Sequence, residues 1–150
     1  MRGEQVSGEY VGRSVLDADG WFRTRDAGWF DADGFLYVDG RLDDVIVRGG
    51  ENISPGEIET VLHAHPAVAD VAVLGIPDTE WGETVAAVVV LHAAGSGSED
   101  VTDAALQEWV RERLRSTKMP TVIEFRTELP YSPTGKLLRR VLRDELSSSH

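Results

Sequence analysis

Two runs, "VADVAVLGI" at 68–76 and "TVAAVVVLH" at 84–92, set the tightest limit on what this chain can become. Both are dominated by Val, Ala, Leu and Ile, and both have the length of a strand. Such runs are stable in water only when covered, so they predict two buried strands. The longest uninterrupted apolar stretch, Val85 to Leu91, is far short of the roughly 20 residues that span a bilayer as a helix. The chain therefore reads as a folded core with no transmembrane segment.

The segments around these runs supply helices and turns. "DDVIVRGGENI" predicts a short β-branched strand that ends at Gly49-Gly50. In "SPGEIETVLHAH", Ser54 and Glu57 form a capping box and Pro55 takes the first helical position. Ile58, Val61 and Leu62 give that helix its apolar face, and His65-Pro66 closes it. After the flexible connector "AAGSGSED", a helix over about 102–116 aligns Leu106, Trp109, Val110 and Leu114 on one stripe, with an acidic start and a basic end. "TVIEFR" reads as a strand, "TELPYSPTG" as a turn-rich loop and "KLLRRVLRDEL" as a last helix. The order β-α-β-β-α-β-α predicts a small α+β domain, with a mostly antiparallel sheet and flanking helices.

The first forty residues differ in character. "VLDADGWFR" and "WFDADGFLYV" each carry Asp-Ala-Asp-Gly before an aromatic, a hairpin signal. Trp21, Phe22, Trp29, Phe30, Phe35 and Tyr37 are more aromatics than two such hairpins can bury. These residues are expected to form a unit separate from the α+β domain, with strand edges and aromatics that belong to a larger sheet.

Composition narrows the function classes. There is no cysteine, so there is no disulfide framework and no thiol nucleophile, as suits a reducing compartment. The polar start "MRGEQVSGEY" does not read as a signal peptide. A net charge of −11 argues against general nucleic-acid binding, yet the stretch from Arg111 to Arg143 holds nine Lys/Arg and only three Glu. That basic end suits either a small phosphorylated ligand or a solvated helix face. No metal site is expected. His63 and His65 make an H-x-H pair without a third ligand, and the carboxylates at 17, 19, 31 and 33 lack the closing glutamate of a calcium loop. "LPYSPTGKLLRR" delivers Lys136 just after a glycine. A phosphate-binding P-loop would need Gly where Pro130 stands and Ser or Thr where Leu137 stands, so Lys136 taken alone reads as a solvated lysine at a helix start.

Three segments together say more. "FRTRD" at 22–26, "GRLDDVIVRGGENISPGEIE" at 40–59 and "LPYSPTGKLLRR" at 129–140 resemble, in order and spacing, the last three core motifs of the adenylate-forming enzymes. That family includes acyl-CoA synthetases, peptide-synthetase adenylation domains and luciferases, and the resemblance covers nearly the whole chain. It implies a two-domain enzyme of which residues 1–42 are the end of the large N-terminal domain. Residues 43–150 would be the small mobile C-terminal domain. The wording "GGENISPGEIE" resembles fatty-acid and aryl-acid CoA ligases more than peptide-synthetase domains.

The resemblance also implies roles. Asp26 corresponds to the aspartate that accepts hydrogen bonds from the ribose hydroxyls of ATP, although the residue before it is Arg25 where the family usually has glycine. Arg41 corresponds to the arginine near the nucleotide, with an ion pair to Asp43 or Asp44 as the alternative, and Asp43 to the hinge. Lys136 corresponds to the catalytic lysine of the adenylating half-reaction. Gly49, Gly50 and Glu51 correspond to the segment beside the pantetheine arm of CoA, and Trp81 and Lys118 to positions near CoA. The implied substrates are a carboxylic acid, ATP and CoA, with Mg2+ held by ligands outside this chain. The implied partners are the missing N-terminal domain and an acetyltransferase acting on Lys136. The implied location is cytoplasmic, with peripheral membrane attachment as a variant. The chain alone is expected to be inactive. The alternatives are transfer to a carrier protein, release of acyl-AMP, or a non-catalytic module of this fold. The joint presence of Asp26, Asp43 and Lys136 argues against the last.

Overall fold

The computed structural model describes residues 9–10, 13–14, 16–41, 44–93 and 101–149. Asp43, Leu42 and nearly all of the predicted connector lie outside the described residues. The chain divides into two compact units, Met1–Asp43 and Asp44–His150.

Among its described residues the first unit has two antiparallel pairs, β1 (Glu9–Tyr10) with β2 (Arg13–Ser14), and β3 (Asp26–Phe30) with β4 (Leu36–Arg41). The repeated Asp-Ala-Asp-Gly builds the same turn twice. Asp17 Oδ1 accepts the backbone N–H groups of Asp19 and Trp21 at 3.0 and 2.8 Å. Asp31 Oδ1 accepts those of Asp33 and Phe35 at 3.0 and 2.9 Å. These carboxylates are turn formers. The bonds hold the Asp31 carboxyl below its usual range, the Phe35 N–H contributing most. Trp29 stacks on Tyr37 with ring centroids 4.5 Å apart, yet Trp29, Phe30 and Phe35 stay more than half exposed.

The second unit contains β5 (Ile46–Arg48), β6 (Glu51–Ile53), α1 (Pro55–His63), β7 (Val68–Asp78), β8 (Gly82–Leu91), α2 (Asp103–Arg111), β9 (Val122–Arg126) and α3 (Arg139–Ser149). The two apolar runs are the long hairpin β7–β8, antiparallel from Val68↔Leu91 to Asp78↔Gly82. On the other side of β8, β9 pairs parallel to Ala86–Val90, and β5 touches only the start of β8, at Arg48↔Gly82. The sheet is mostly antiparallel, with β8–β9 as its parallel exception.

Both faces of β7–β8 are covered. Val71, Val73, Val85, Ala87 and Val89 face Ile58 and Leu62 of α1 and Leu106 and Val110 of α2. Ala72, Leu74, Ile76, Ala86 and Val88 face Leu142 and Leu146 of α3. A strand buried on both sides has no reason to alternate, which is why these runs are continuously apolar. Each fully buried Val or Leu adds roughly 1.5–3 kcal/mol relative to exposure.

The structure departs from the sequence reading in three places. Ser54 stands at the N-cap of α1 without a side-chain cap hydrogen bond, and one carboxylate oxygen of Glu57 pairs with Lys118. The second helix ends at Arg111, where Arg113 turns back, donates to Trp109 O at 2.9 Å and lies over the indole. The last helix begins at Arg139, because Leu138 N–H donates to Pro130 O at 2.9 Å and Leu137 bridges to Tyr131, which keeps Lys136 in the turn. Among the described residues no helix is long and apolar enough to cross a membrane.

Candidate functional site

Lys136 lies on a closed turn. Ser132 N–H donates to Lys136 O at 2.8 Å, and Lys136 N–H donates to Ser132 Oγ at 3.0 Å. Gly135 takes φ +78°, a conformation that favours glycine. The turn is fixed to the domain on either side. Tyr131 Oη donates to Asp70 Oδ2 at 2.7 Å, which raises the Tyr131 pKa, with burial as a smaller cause. Arg139 pairs with Glu59 at 2.5 Å and with Asp44 at 3.8 Å. The side chain of Lys136 is exposed and ion-pairs with none of the described residues.

Most other bases of the basic end are engaged. Arg111 pairs with Glu108, Lys118 with Glu57, Arg126 with Glu124 and Glu145, and Arg143 with Glu83. Lys118, Arg139 and Arg143 thus tie late residues to the acidic earlier part, while Arg111 and Arg126 pair within the late part, a division that charge counting does not reveal.

Gly49 and Gly50 form the two-residue turn of hairpin β5–β6, and Arg48 pairs with Glu51 across it. Their φ values are +55° and +84°, and a type I′ hairpin turn requires positive φ at both positions. Trp81 covers one side of the turn. Gly49 N–H donates to Trp81 O at 2.8 Å, and a Cβ on Gly49 would lie 2.8 Å from the indole Cε3. A Cβ on Gly50 would meet nothing within 4 Å, so that side is open. Arg48 was not singled out by the sequence, yet it joins the cluster. Its guanidinium lies 6.0 Å from the Trp81 ring centroid and donates to Thr117 O at 2.9 Å. An arginine directly before a Gly-Gly turn was the available signal. Lys118 follows Thr117, but its ammonium is held by Glu57, which any anionic ligand must share or displace.

In the first unit, Asp26 and Arg41 are register partners across β3–β4. Both are exposed, and Arg41 Nη2 reaches Thr24 O at 3.5 Å. Arg25 has φ +62°, the only positive φ of a non-glycine among the described residues. The backbone there has kept a glycine-like conformation although the residue is arginine.

The histidine pair is occupied structurally. His65 packs edge-on against Trp109 at 4.8 Å, and burial, with the Arg113 charge second, lowers its pKa. His63 Nε2 lies 3.9 Å from Asp70 Oδ1. No group of three or more His, Asp or Glu able to hold a metal ion is found among the described residues.

Residues 57–136 match the AMP-binding enzyme C-terminal domain. The chain is 43% identical, over 137 residues, to the long-chain-fatty-acid–CoA ligase FadD13 of Mycobacterium tuberculosis, covering 91% of this chain and 26% of that protein. It is 44% identical over 126 residues to the fatty acid–[acyl-carrier-protein] ligase ScoC of Streptomyces coeruleorubidus, covering 84% of this chain and 24% of that one. The crystal structure of ATP-bound MatB from Rhodopseudomonas palustris superposes with a TM-score of 0.82 at 32% identity, over 90% of this chain and 26% of that one. The chain thus spans about a quarter of the length of these relatives. With just over half of its residues inside the matched domain, and its fold shared with an ATP-bound relative, the chain belongs to the AMP-binding enzyme C-terminal domain family, the C-terminal part of the adenylate-forming enzymes.

Proposed function

We propose that the protein to which this chain belongs is an AMP-forming acyl-CoA ligase acting on a carboxylic acid, with a fatty acid as the favoured substrate. The observation that carries this reading is the 43% identity to a long-chain-fatty-acid–CoA ligase across nearly the whole chain. The first unit is then the end of the N-terminal domain, the second is the mobile C-terminal domain, and Asp43 is the hinge between them. Asp26 accepts the ribose hydroxyls of ATP, and Arg41, its register partner, assists with the nucleotide. In the first half-reaction a carboxylate oxygen of the acid attacks the α-phosphate, and the bond to pyrophosphate breaks. Lys136 supplies a point charge where negative charge accumulates. Its exposure on a fixed turn suits a group that must reach a site outside its own domain. Mg2+ accompanies ATP and is bound by residues outside this chain.

In the second half-reaction the thiol of CoA attacks the acyl carbon and AMP leaves. The open side of Gly50 supports an approach of the pantetheine arm along Gly49, Gly50 and Glu51, with Trp81 and Lys118 nearby. A cytoplasmic location, peripheral to a membrane when the acid is a long-chain fatty acid, belongs to the same reading. A second reading has a carrier-protein thiol in place of CoA, and the 44% identity to an acyl-carrier-protein ligase favours it. The full-length enzyme, given a panel of acids with ATP and either CoA or a phosphopantetheinylated carrier protein, tests both. Acid-dependent pyrophosphate release followed by acyl-CoA formation is expected. Transfer to the carrier protein alone selects the second reading, and no acid-dependent pyrophosphate release with any acid rejects both.

A further inference from the structure

The β5–β6 hairpin is attached to the sheet by very little backbone. Its only register pair with β8 is Arg48↔Gly82. On one side of that pair, Gly49 N–H reaches Trp81 O at 2.8 Å. On the other, Val47 N–H meets a side chain: Glu83 Oε2 accepts it at 2.8 Å. Residues 47, 48 and 49 are thus held by residues 83, 82 and 81 in turn, and the last link depends on one carboxylate. That carboxylate is itself fixed from below. Its Oε1 accepts from Arg143 Nη2 of α3 at 3.3 Å, and Arg143 Nε donates to Gly75 O of β7 at 2.8 Å. Gly75 leaves the room, since a Cβ there would lie 3.0 Å from the Glu83 carboxyl carbon. The Glu83 side chain is only 26% exposed.

We propose that Glu83 is a positioning residue for the acyl-transfer half-reaction. Held by Arg143, it fixes the β5–β6 hairpin so that the Gly49–Gly50 turn keeps its open side toward the incoming thiol arm. The proposal rests on the reading of that turn as the thiol-arm contact. Glu83 does not touch the reacting atoms, and it acts on the second half-reaction only. α3, which begins three residues after Lys136, thereby braces the turn used in the other half-reaction.

The test uses the full-length enzyme and follows the half-reactions separately: acid-dependent pyrophosphate exchange, and transfer from synthetic acyl-AMP to CoA. For Glu83→Ala, transfer is expected to fall by about tenfold to a hundredfold, with a raised KM for CoA, while pyrophosphate exchange stays within about twofold. Glu83→Gln keeps an oxygen for Val47 N–H and should recover most of the transfer rate. Hydrogen exchange of the peptide covering 45–53 should speed up in the Ala variant and much less in the Gln variant. Equal losses in both half-reactions, or unchanged transfer in the Ala variant, overturns the proposal. Gly50→Leu is the companion control. If it abolishes transfer while Glu83→Ala does not, the role of Glu83 alone fails. If Gly50→Leu leaves transfer intact, the reading of the turn fails and takes this proposal with it.

Discussion

Lys136 projects from a turn that Ser132 closes through both its backbone and its hydroxyl, so the side chain can be altered without disturbing the fold beneath it. Lys136→Ala should therefore leave the melting temperature unmoved and, if Lys136 has the role proposed for it, lower pyrophosphate exchange by roughly a hundredfold to a thousandfold with transfer from synthetic acyl-AMP nearly unchanged. Acetylation of Lys136 removes the same charge and should have the same effect. Mass spectrometry of the native protein, with pyrophosphate release before and after deacetylation, checks whether a modifying enzyme acts here. Arg25 illustrates a different constraint. Its φ of +62° costs an L-residue roughly 1–2 kcal/mol. Arg25→Gly should therefore relieve that strain and leave Asp26 in place, with the net change in stability in denaturant titration of the full-length protein set by this gain against the backbone entropy of glycine and the loss of the Arg25 side chain's own contacts. Arg25→Val should lower stability, because a β-branched side chain tolerates this φ least.

At the scale of elements, β7 is an edge strand of the sheet, and side chains seal it. Glu59 accepts Val73 N–H at 2.8 Å and Arg143 donates to Gly75 O, so a neighbouring strand finds these groups taken. Glu59 also holds Arg139, and its side chain is 19% exposed. Glu59→Ala should cost roughly 1–3 kcal/mol, since it strands the Val73 amide and leaves Arg139 only its longer pair with Asp44. Glu59→Gln, which keeps the acceptor for Val73, should cost less, as chemical denaturation with light scattering for aggregation can show. The Lys136 turn is fastened to the same strand by Tyr131. Because the hydrogen bond to Asp70 needs the phenol proton, the folded state holds that proton above the ordinary pKa of 10.0. The unfolded chain releases it first, so the stability from this contact is complete below about pH 10 and is lost as pH rises through the folded-state value. Wild-type and Tyr131→Phe proteins should therefore converge in stability under alkaline conditions. A difference that persists undiminished would show that the bond does not require the proton.

For the whole molecule, the two units differ in what they bury. Every buried hydrophobic side chain among the described residues lies between Ile46 and Leu146, in cores on both faces of one sheet. The first unit has a stacked Trp29–Tyr37 pair and a set of exposed aromatics. Produced alone, the polypeptide 44–150 should unfold in one cooperative thermal transition followed by circular dichroism. The polypeptide 9–41 should show none, because isolated two-stranded hairpins are marginal. A cooperative melt of 9–41 would mean that its aromatics form a core of their own.

The amino-acid sequence by itself determined the features that are settled within a few residues. Asp-Ala-Asp-Gly dictates its turns because a carboxylate two or four residues before an amide can reach it. Gly49-Gly50 and Gly135 mark positive φ because other residues clash there. The runs at 68–76 and 84–92 announce buried strands because nothing else shelters that much β-branched surface. Residues 22–26, 40–59 and 129–140 carried the family resemblance for the same local reason. Only the tertiary structure decided which of many interchangeable acids and bases meet. Lys118 finds Glu57, Arg139 finds Glu59, and Arg143 finds Glu83, across 61, 80 and 60 residues. The parallel placement of β9, the seat of Arg48 between Trp81 and Thr117, and the absence of a side-chain cap at Ser54 were decided there too. The cause is common to all of them. Backbone preference and side-chain period act over one or two turns, whereas long charged side chains choose partners only after packing of the sheet and helices has brought them within reach.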